Sequence, residues 1–163
     1  KTIDREMRKF CETVPLKPVL QALLIADHVY RDAATGKHII AGTFTEVRFK
    51  KGSPTEGASK SDPVKVSPGE IQRSGSPWLY LSLTEMNGDV ELVLRYVSLT
   101  GDNVMFEFDM LVKSDDPLRT FEIALPLPPL PNVSGIHVLE LLWDNELLGS
   151  HRINVREIAN END

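Results

Sequence analysis

The sequence predicts an all-β fold: a two-sheet antiparallel β-sandwich of about eight strands, immunoglobulin-like or C2-like in architecture, with an N-terminal helix. Three observations predict it. From Pro18 onward the apolar residues change from helical spacing to a period of two. Eight segments of strand composition, rich in Val, Ile, Leu, Thr and aromatics, follow one another with no helical segment between them. Their connections carry the residues of tight hairpins. A chain of 163 residues is long enough for one core, burying roughly 70% of its unfolded surface without help from disulfides or metals. The expected division is a helix at 1–15, a sandwich domain at 16–158 with a long flexible insertion at 50–77, and a disordered tail at 159–163.

In chain order, Ile3, Met7, Phe10, Cys11 and Val14 recur at helical spacing until Pro15 ends the run. This helix is expected to pack on the domain, with dimerisation or partner binding as its other use. Cys11 sits on or beside its apolar stripe and reads as a small hydrophobe. The expected strands are 19–29, 38–49, 77–86, 90–99, 104–112, 119–125, 134–143 and 147–156. Alternation is clearest in 104–112, where Val104, Phe106, Phe108, Met110 and Val112 share one face and Glu107 and Asp109 the other. Asn87-Gly88-Asp89, Thr100-Gly101-Asp102-Asn103 and Asp144-Asn145 supply turn residues that tolerate positive φ.

Two connections stand apart. Residues 50–77 are dense in Gly, Pro, Ser and Lys, and only Ser67-Pro68-Gly69-Glu70 has the signature of a short helical turn. In ALPLPPLPN, residues 124–132, leucines alternate with prolines and no Lys or Arg lies between Thr120 and Gly149. That pattern reads as a rigid crossover capping the core rather than an exposed proline-rich ligand.

Composition limits the function. A formal charge of −6 and a pI near 5.2 oppose a nucleic-acid footprint, which needs a basic face to displace counterions. No run approaches the ~20 apolar residues of a membrane span, so no membrane insertion is expected. One cysteine cannot form an internal disulfide, no signal-peptide pattern is visible, and a cytoplasmic location is expected.

Reactive side chains are densest in ALLIADHVYRDAATGKHIIAGTF, residues 22–44, which holds Asp27, His28, Asp32, Lys37 and His38. On a regular strand Asp27 and His28 point to opposite faces, so they do not serve one site. No nucleophile elbow, zinc-binding helix motif, phosphate loop or C-x-x-C pair occurs. No catalytic residue and no cofactor is assigned; the enzyme alternative is a hydrolase whose site is built across loops. The imidazoles His28, His38, His137 and His151 lie at no close spacing, and only His28 and His38 could meet, across the hairpin base.

Calcium is the better-posed metal. If every strand reverses the one before, the loops 30–37, 87–89, 113–118 and 144–146 emerge at one end. They carry Asp32, Asp89, Asp115, Asp116, Asp144 and Glu146, with Asp27 close behind. A calcium-dependent recognition domain with Asp32, Asp89, Asp115, Asp116 and Asp144 as ligands is therefore the first alternative. Asp and Asn are equally the ordinary residues of tight turns.

The order Asp27, Asp32, Thr35-Gly36-Lys37, Ile40, Gly42-Thr43-Phe44 resembles the opening motif of an uncharacterised family of bacterial β-sandwich domains of unknown function. Gly135-Ile136-His137 through Trp143-Asp144-Asn145-Glu146 to Gly149 and Val155 is similar to that family's closing hairpin. The resemblance spans about residues 19–156; the long 50–77 segment and the leading helix depart from it. It implies architecture and no activity, substrate or cofactor. The expected role is a non-catalytic β-sandwich binding or assembly module, acting through a protein partner or self-association.

Overall fold

The computed structural model describes residues 16–50, 64–65 and 76–158. The expected N-terminal helix, the turn at 67–70 and the tail at 159–163 lie outside the described residues. Ten strands form among those that are described: β1 (Val19–Arg31), β2 (His38–Thr43), β3 (Glu46–Lys50), β4 (Val64–Lys65), β5 (Trp78–Thr84), β6 (Gly88–Ser98), β7 (Asn103–Ser114), β8 (Phe121–Pro126), β9 (Gly135–Trp143) and β10 (Glu146–Ile158). They make a four-stranded sheet, β2-β1-β5-β8, and a six-stranded sheet, β3-β10-β9-β6-β7-β4. The architecture is the two-sheet sandwich that the periodicity predicts.

Alternation decides which residues enter the core. In β7, Phe106, Phe108, Met110 and Val112 are buried while Asp109 and Leu111 are exposed. Val90, Leu92, Leu94 and Tyr96 of β6 and Leu139 and Leu141 of β9 join them from the same sheet. Ile25, Leu79, Leu81 and Leu83 meet them from the four-stranded sheet, each fully buried. Each such side chain contributes about 1.5–3 kcal/mol through removal from water.

The turns follow their sequence chemistry. Asp144 and Asn145 have φ of 48° and 62°, the pair of positive values that a two-residue type I′ hairpin requires. The β1–β2 turn is closed by Asp32 N–H donating to the Lys37 carbonyl at 2.8 Å and Gly36 N–H to the Asp32 carbonyl at 2.8 Å. The Leu-Pro segment after β8 is the predicted cap: Leu127 is fully buried and its N–H donates to the Pro77 carbonyl at 2.7 Å.

Two expectations are corrected. The segment 38–49 is not one strand: β2 pairs antiparallel with β1 through Ile40–Val29, and β3 pairs with β10 through Val47–Val155 in the other sheet. The sheets are also not wholly antiparallel, because β3–β10 and β4–β7 run parallel. The split follows from a local cause. Gly42 has φ of +73°, and a Cβ there would overlap the Asp27 carboxylate group; the chain bends at this point and leaves β1 for β10. The β1–β2 pairing ends at Ala26–Thr43, and Thr45 already accepts a hydrogen bond from Asn154 N–H at 2.8 Å.

The crossing fixes two ends. At one lie the turns 85–87, 115–120 and 144–145, tied by Glu85 N–H to the Pro117 carbonyl at 3.0 Å and by Lys17 to Glu146. At the other lie 99–102, the 127–134 crossover and, beyond them, the β1–β2 turn. Gly42→Ala is expected to lower stability by about 1–3 kcal/mol. Gly88→Ala, with φ of +78° and open space at its Cβ position, is expected to lose less, about 1 kcal/mol. Urea denaturation reads both, and Asp27→Ala should recover part of the Gly42→Ala loss. Equal losses without recovery would mean that the Asp27 approach is without consequence.

Candidate functional site

At the crossover end the change of sheet opens a cleft of about 770 Å³. Its apolar wall comes from Phe44 and Val47 on one side and Pro77, Pro129 and Leu130 on the other; Asp27, His28, Glu46 and Ser76 supply the polar groups. Asp27 and His28 both line it, although regular alternation separates them. The reason is that β1 outruns β5: the last β1–β5 pair is Ala26–Trp78, so beyond it both faces of β1 reach the cleft margin.

The polar groups differ in how far the fold satisfies them. Glu46 accepts from Arg48 Nε at 2.6 Å and lies 3.7 Å from Arg156 Nε. The Arg48 hydrogen bond, aided by the charges of Arg48 and Arg156, holds its carboxyl below the usual range. Ser76 is 7% exposed, and its Oγ is buried with no hydrogen-bond partner. Such a hydroxyl costs about 1–3 kcal/mol. It turns on one torsion, and no hydrogen bond holds it in place. The Asp27 carboxylate is exposed, and among the described residues it has no hydrogen-bond or ion-pair partner.

On the other side of β1 a groove of about 500 Å³ is lined by His28, Tyr30, Arg31, His38, Trp78 and Ala124 among others. Beside His38 the Tyr80 hydroxyl donates to Glu122 Oε1. His38 Nδ1 lies 3.4 Å from Glu122 Oε2, an electrostatic contact only, since this buried nitrogen has no hydrogen-bond partner. The His38 and Tyr80 rings meet edge to face at 5.6 Å. The Tyr80 hydrogen bond, with His38 and the Arg31 charge, lowers the Glu122 pKa. Burial, then the Glu122 carboxylate, raises that of Tyr80.

The acidic residues assigned to calcium are not brought together. Asp32 lies at the opposite end from Asp89, Asp115, Asp116 and Asp144, because β2 returns along β1 while β5, β7 and β9 all run to the other end. Asp32 is a turn former: its carboxylate accepts from Ala34 N–H at 3.1 Å and Thr35 Oγ at 2.5 Å. The Thr35 hydrogen bond is the leading cause of its lowered pKa. Asp89 accepts from Lys113 at 3.0 Å, Asp116 Oδ1 accepts from Leu118 N–H at 2.9 Å, and Asp144 forms the β9–β10 turn. Asp115 is exposed beside them. Among the described residues no group of three or more His, Cys, Asp and Glu could hold a metal ion.

The four histidines are likewise dispersed. His28 and His38 do not face each other, since their β1–β2 partners are Ala41 and Arg31. His151 Nε2 donates to the Phe44 carbonyl at 3.2 Å, bracing the sheet crossing. His137 is fully buried with neither ring nitrogen hydrogen-bonded, against a Tyr96 whose hydroxyl is also without a partner. Sequence reasoning missed Ser76, Phe44, Glu46, Tyr80 and Glu122. Tyr80 and Glu122 alternate with buried residues, so their face was legible, but their partnership depends on register between distant strands.

No protein-family model and no curated protein matches the sequence. The resemblance carried by Asp27, Asp32, Thr35-Gly36-Lys37 and Gly42-Thr43-Phe44 thus gains no support, and those residues stand on their geometry: a bend and a turn. Among solved structures the chain is similar to an immunoglobulin-like protein from Pseudomonas aeruginosa. The identity is 17% over 86% of this chain and 98% of that one, with a TM-score of 0.40. A likeness this slight transfers no residue role. No helix among the described residues is long and apolar enough to cross a membrane.

Burial holds the His137 pKa below its ordinary value of 6.5. As pH falls through that value the unfolded chain takes up a proton that the folded chain refuses, so stability is expected to fall with pH below about 6.5. His137→Leu should remove this contribution, read as the loss of His137's share of the acid limb in thermal melts between pH 7 and pH 5. An unchanged limb would show that His137 titrates normally in the fold.

Proposed function

We propose that the protein is a non-catalytic β-sandwich binding module that takes its ligand in the cleft beside Asp27. One observation carries this reading: the cleft joins an apolar wall to two polar side chains, Asp27 and Ser76, that have no hydrogen-bond or ion-pair partner among the described residues. Concave, largely apolar sites with a few convergent polar groups are where ligands are held and oriented. Glu46 on the lining and His151 near it are engaged in holding β3 and the crossing segment in place. That gives the cleft a braced wall, and a pre-formed wall lowers the ordering cost of binding.

A second reading is favoured by the groove on the other side of β1. His38 lines it with Glu122 and Tyr80 beside its ring, and a histidine next to a carboxylate is the pairing from which a hydrolase builds a general base. The shifts oppose a fuller role: both Glu122 oxygens face partners, and Tyr80 is held protonated.

The two readings separate in one experiment. Titration of the isotope-labelled protein with a small-fragment set, followed by amide chemical shifts, is expected to move Asp27, Phe44, Val47, Ser76 and Leu130. Shifts confined to Trp78, Tyr80 and Glu122, together with turnover of chromogenic esters or glycosides that is lost in His38→Ala and Glu122→Gln, would replace the binding reading by the hydrolase. Shifts at neither place would remove both.

A further inference from the structure

We infer that the cleft selects an organic cation: an ammonium group carried on a short apolar stem, as in a free aliphatic amine or a lysine side chain. The inference rests on the cleft being the binding site, and it follows from the charges that face it. Asp27 brings a carboxylate with no counter-charge among the described residues. Glu46 brings a second, but Arg48 at 2.6 Å and Arg156 at 3.7 Å already answer it. His28 is the remaining titratable group on the lining. The uncompensated charge in the cleft is therefore negative and localised at Asp27.

Each ligand class meets that charge differently. An anion would be repelled by Asp27 and would have to draw Arg48 and Arg156 away from Glu46. A neutral apolar ligand would fill the space between Phe44, Val47 and Leu130 but would strip water from the Asp27 carboxylate without replacing its hydrogen bonds, which is costly. An ammonium replaces them with charge-assisted hydrogen bonds, about twice as strong as neutral ones. Its three donors match the acceptors at hand, the Asp27 carboxylate and the Ser76 hydroxyl oxygen once that side chain turns on its free torsion. The stem then lies along the apolar wall, and the Phe44 ring offers a face that a cation favours.

The test is an amide-shift titration of the full chain with n-hexylammonium, hexan-1-ol, hexanoate and Nα-acetyl-lysine methylamide. The ammonium and the blocked lysine are expected to shift Asp27, Val47 and Ser76, with hexan-1-ol about tenfold weaker and hexanoate without effect. Asp27→Asn, at an exposed and unpaired position, should weaken the ammonium about tenfold and leave hexan-1-ol unchanged; Ser76→Ala should weaken it less. Stronger binding of the blocked lysine than of n-hexylammonium identifies a peptide source, and the reverse a free amine. Equal binding of hexan-1-ol and ammonium, or an Asp27→Asn variant that binds the ammonium undiminished, overturns the cation assignment while the cleft stands as a binding site. Failure of the ammonium to shift cleft residues that other fragments do shift overturns this inference alone.

Discussion

The rest of the structure depends on the bend at Gly42. A single apolar run, residues 38–49, would by periodicity continue along β1; instead the chain takes φ of +73° beside Asp27, where no side chain has room, and crosses to the other sheet. Only glycine adopts that conformation without strain. Its consequence is a strand, β3, that lies parallel to β10 and extends the six-stranded sheet by its edge. His151 braces the crossing through the Phe44 carbonyl and Asn154 through that of Thr45. A chain that changes sheets in this way leaves its crossing residues between the layers, and those residues, Phe44, Glu46 and Val47, become one wall of the cleft.

The same bend governs the chemistry. It leaves the Asp27 carboxylate facing a glycine instead of a partner, at a margin where β5 no longer pairs with β1. Other carboxylates of the fold are held: Glu46, Asp32, Asp89 and Glu122 each hold a hydrogen bond or an ion pair. Against that background Asp27 and Ser76, without a partner among the described residues, lie on the lining of one cleft with its apolar wall. The His137–Tyr96 pair is also unanswered but lies sealed in the core. Burial there lowers the His137 pKa and leaves the pair out of a ligand's reach.

What the sequence made legible was whatever depends on neighbours in the chain. Alternation placed Phe106, Phe108, Met110 and Val112 in the core, turn chemistry placed Asp144-Asn145, and the Leu-Pro run capped the sandwich as expected. Long-range relations were not legible. The split of 38–49 turns on one glycine whose meaning comes from Asp27, fifteen residues earlier, and the parallel β3–β10 pairing joins segments separated by about a hundred residues. The acidic loops were assigned to one end by counting 38–49 as a single reversing strand; its split into β2 and β3 adds a reversal, so β5 runs antiparallel to β1 and the later acidic loops leave at the end away from Asp32. Ser76 was invisible because nothing in a serine beside a proline signals burial without a partner.

The central claim is that the cleft exists because the chain changes sheets between Gly42 and Glu46, and nuclear Overhauser contacts across the strands test it directly. The account predicts backbone contacts between Val47 and Val155 in parallel register, together with contacts between Ile40 and Val29 in antiparallel register. Contacts carrying Val47 or Phe49 onto β1, as a continuous second strand of the hairpin, would contradict it and would remove the cleft with it.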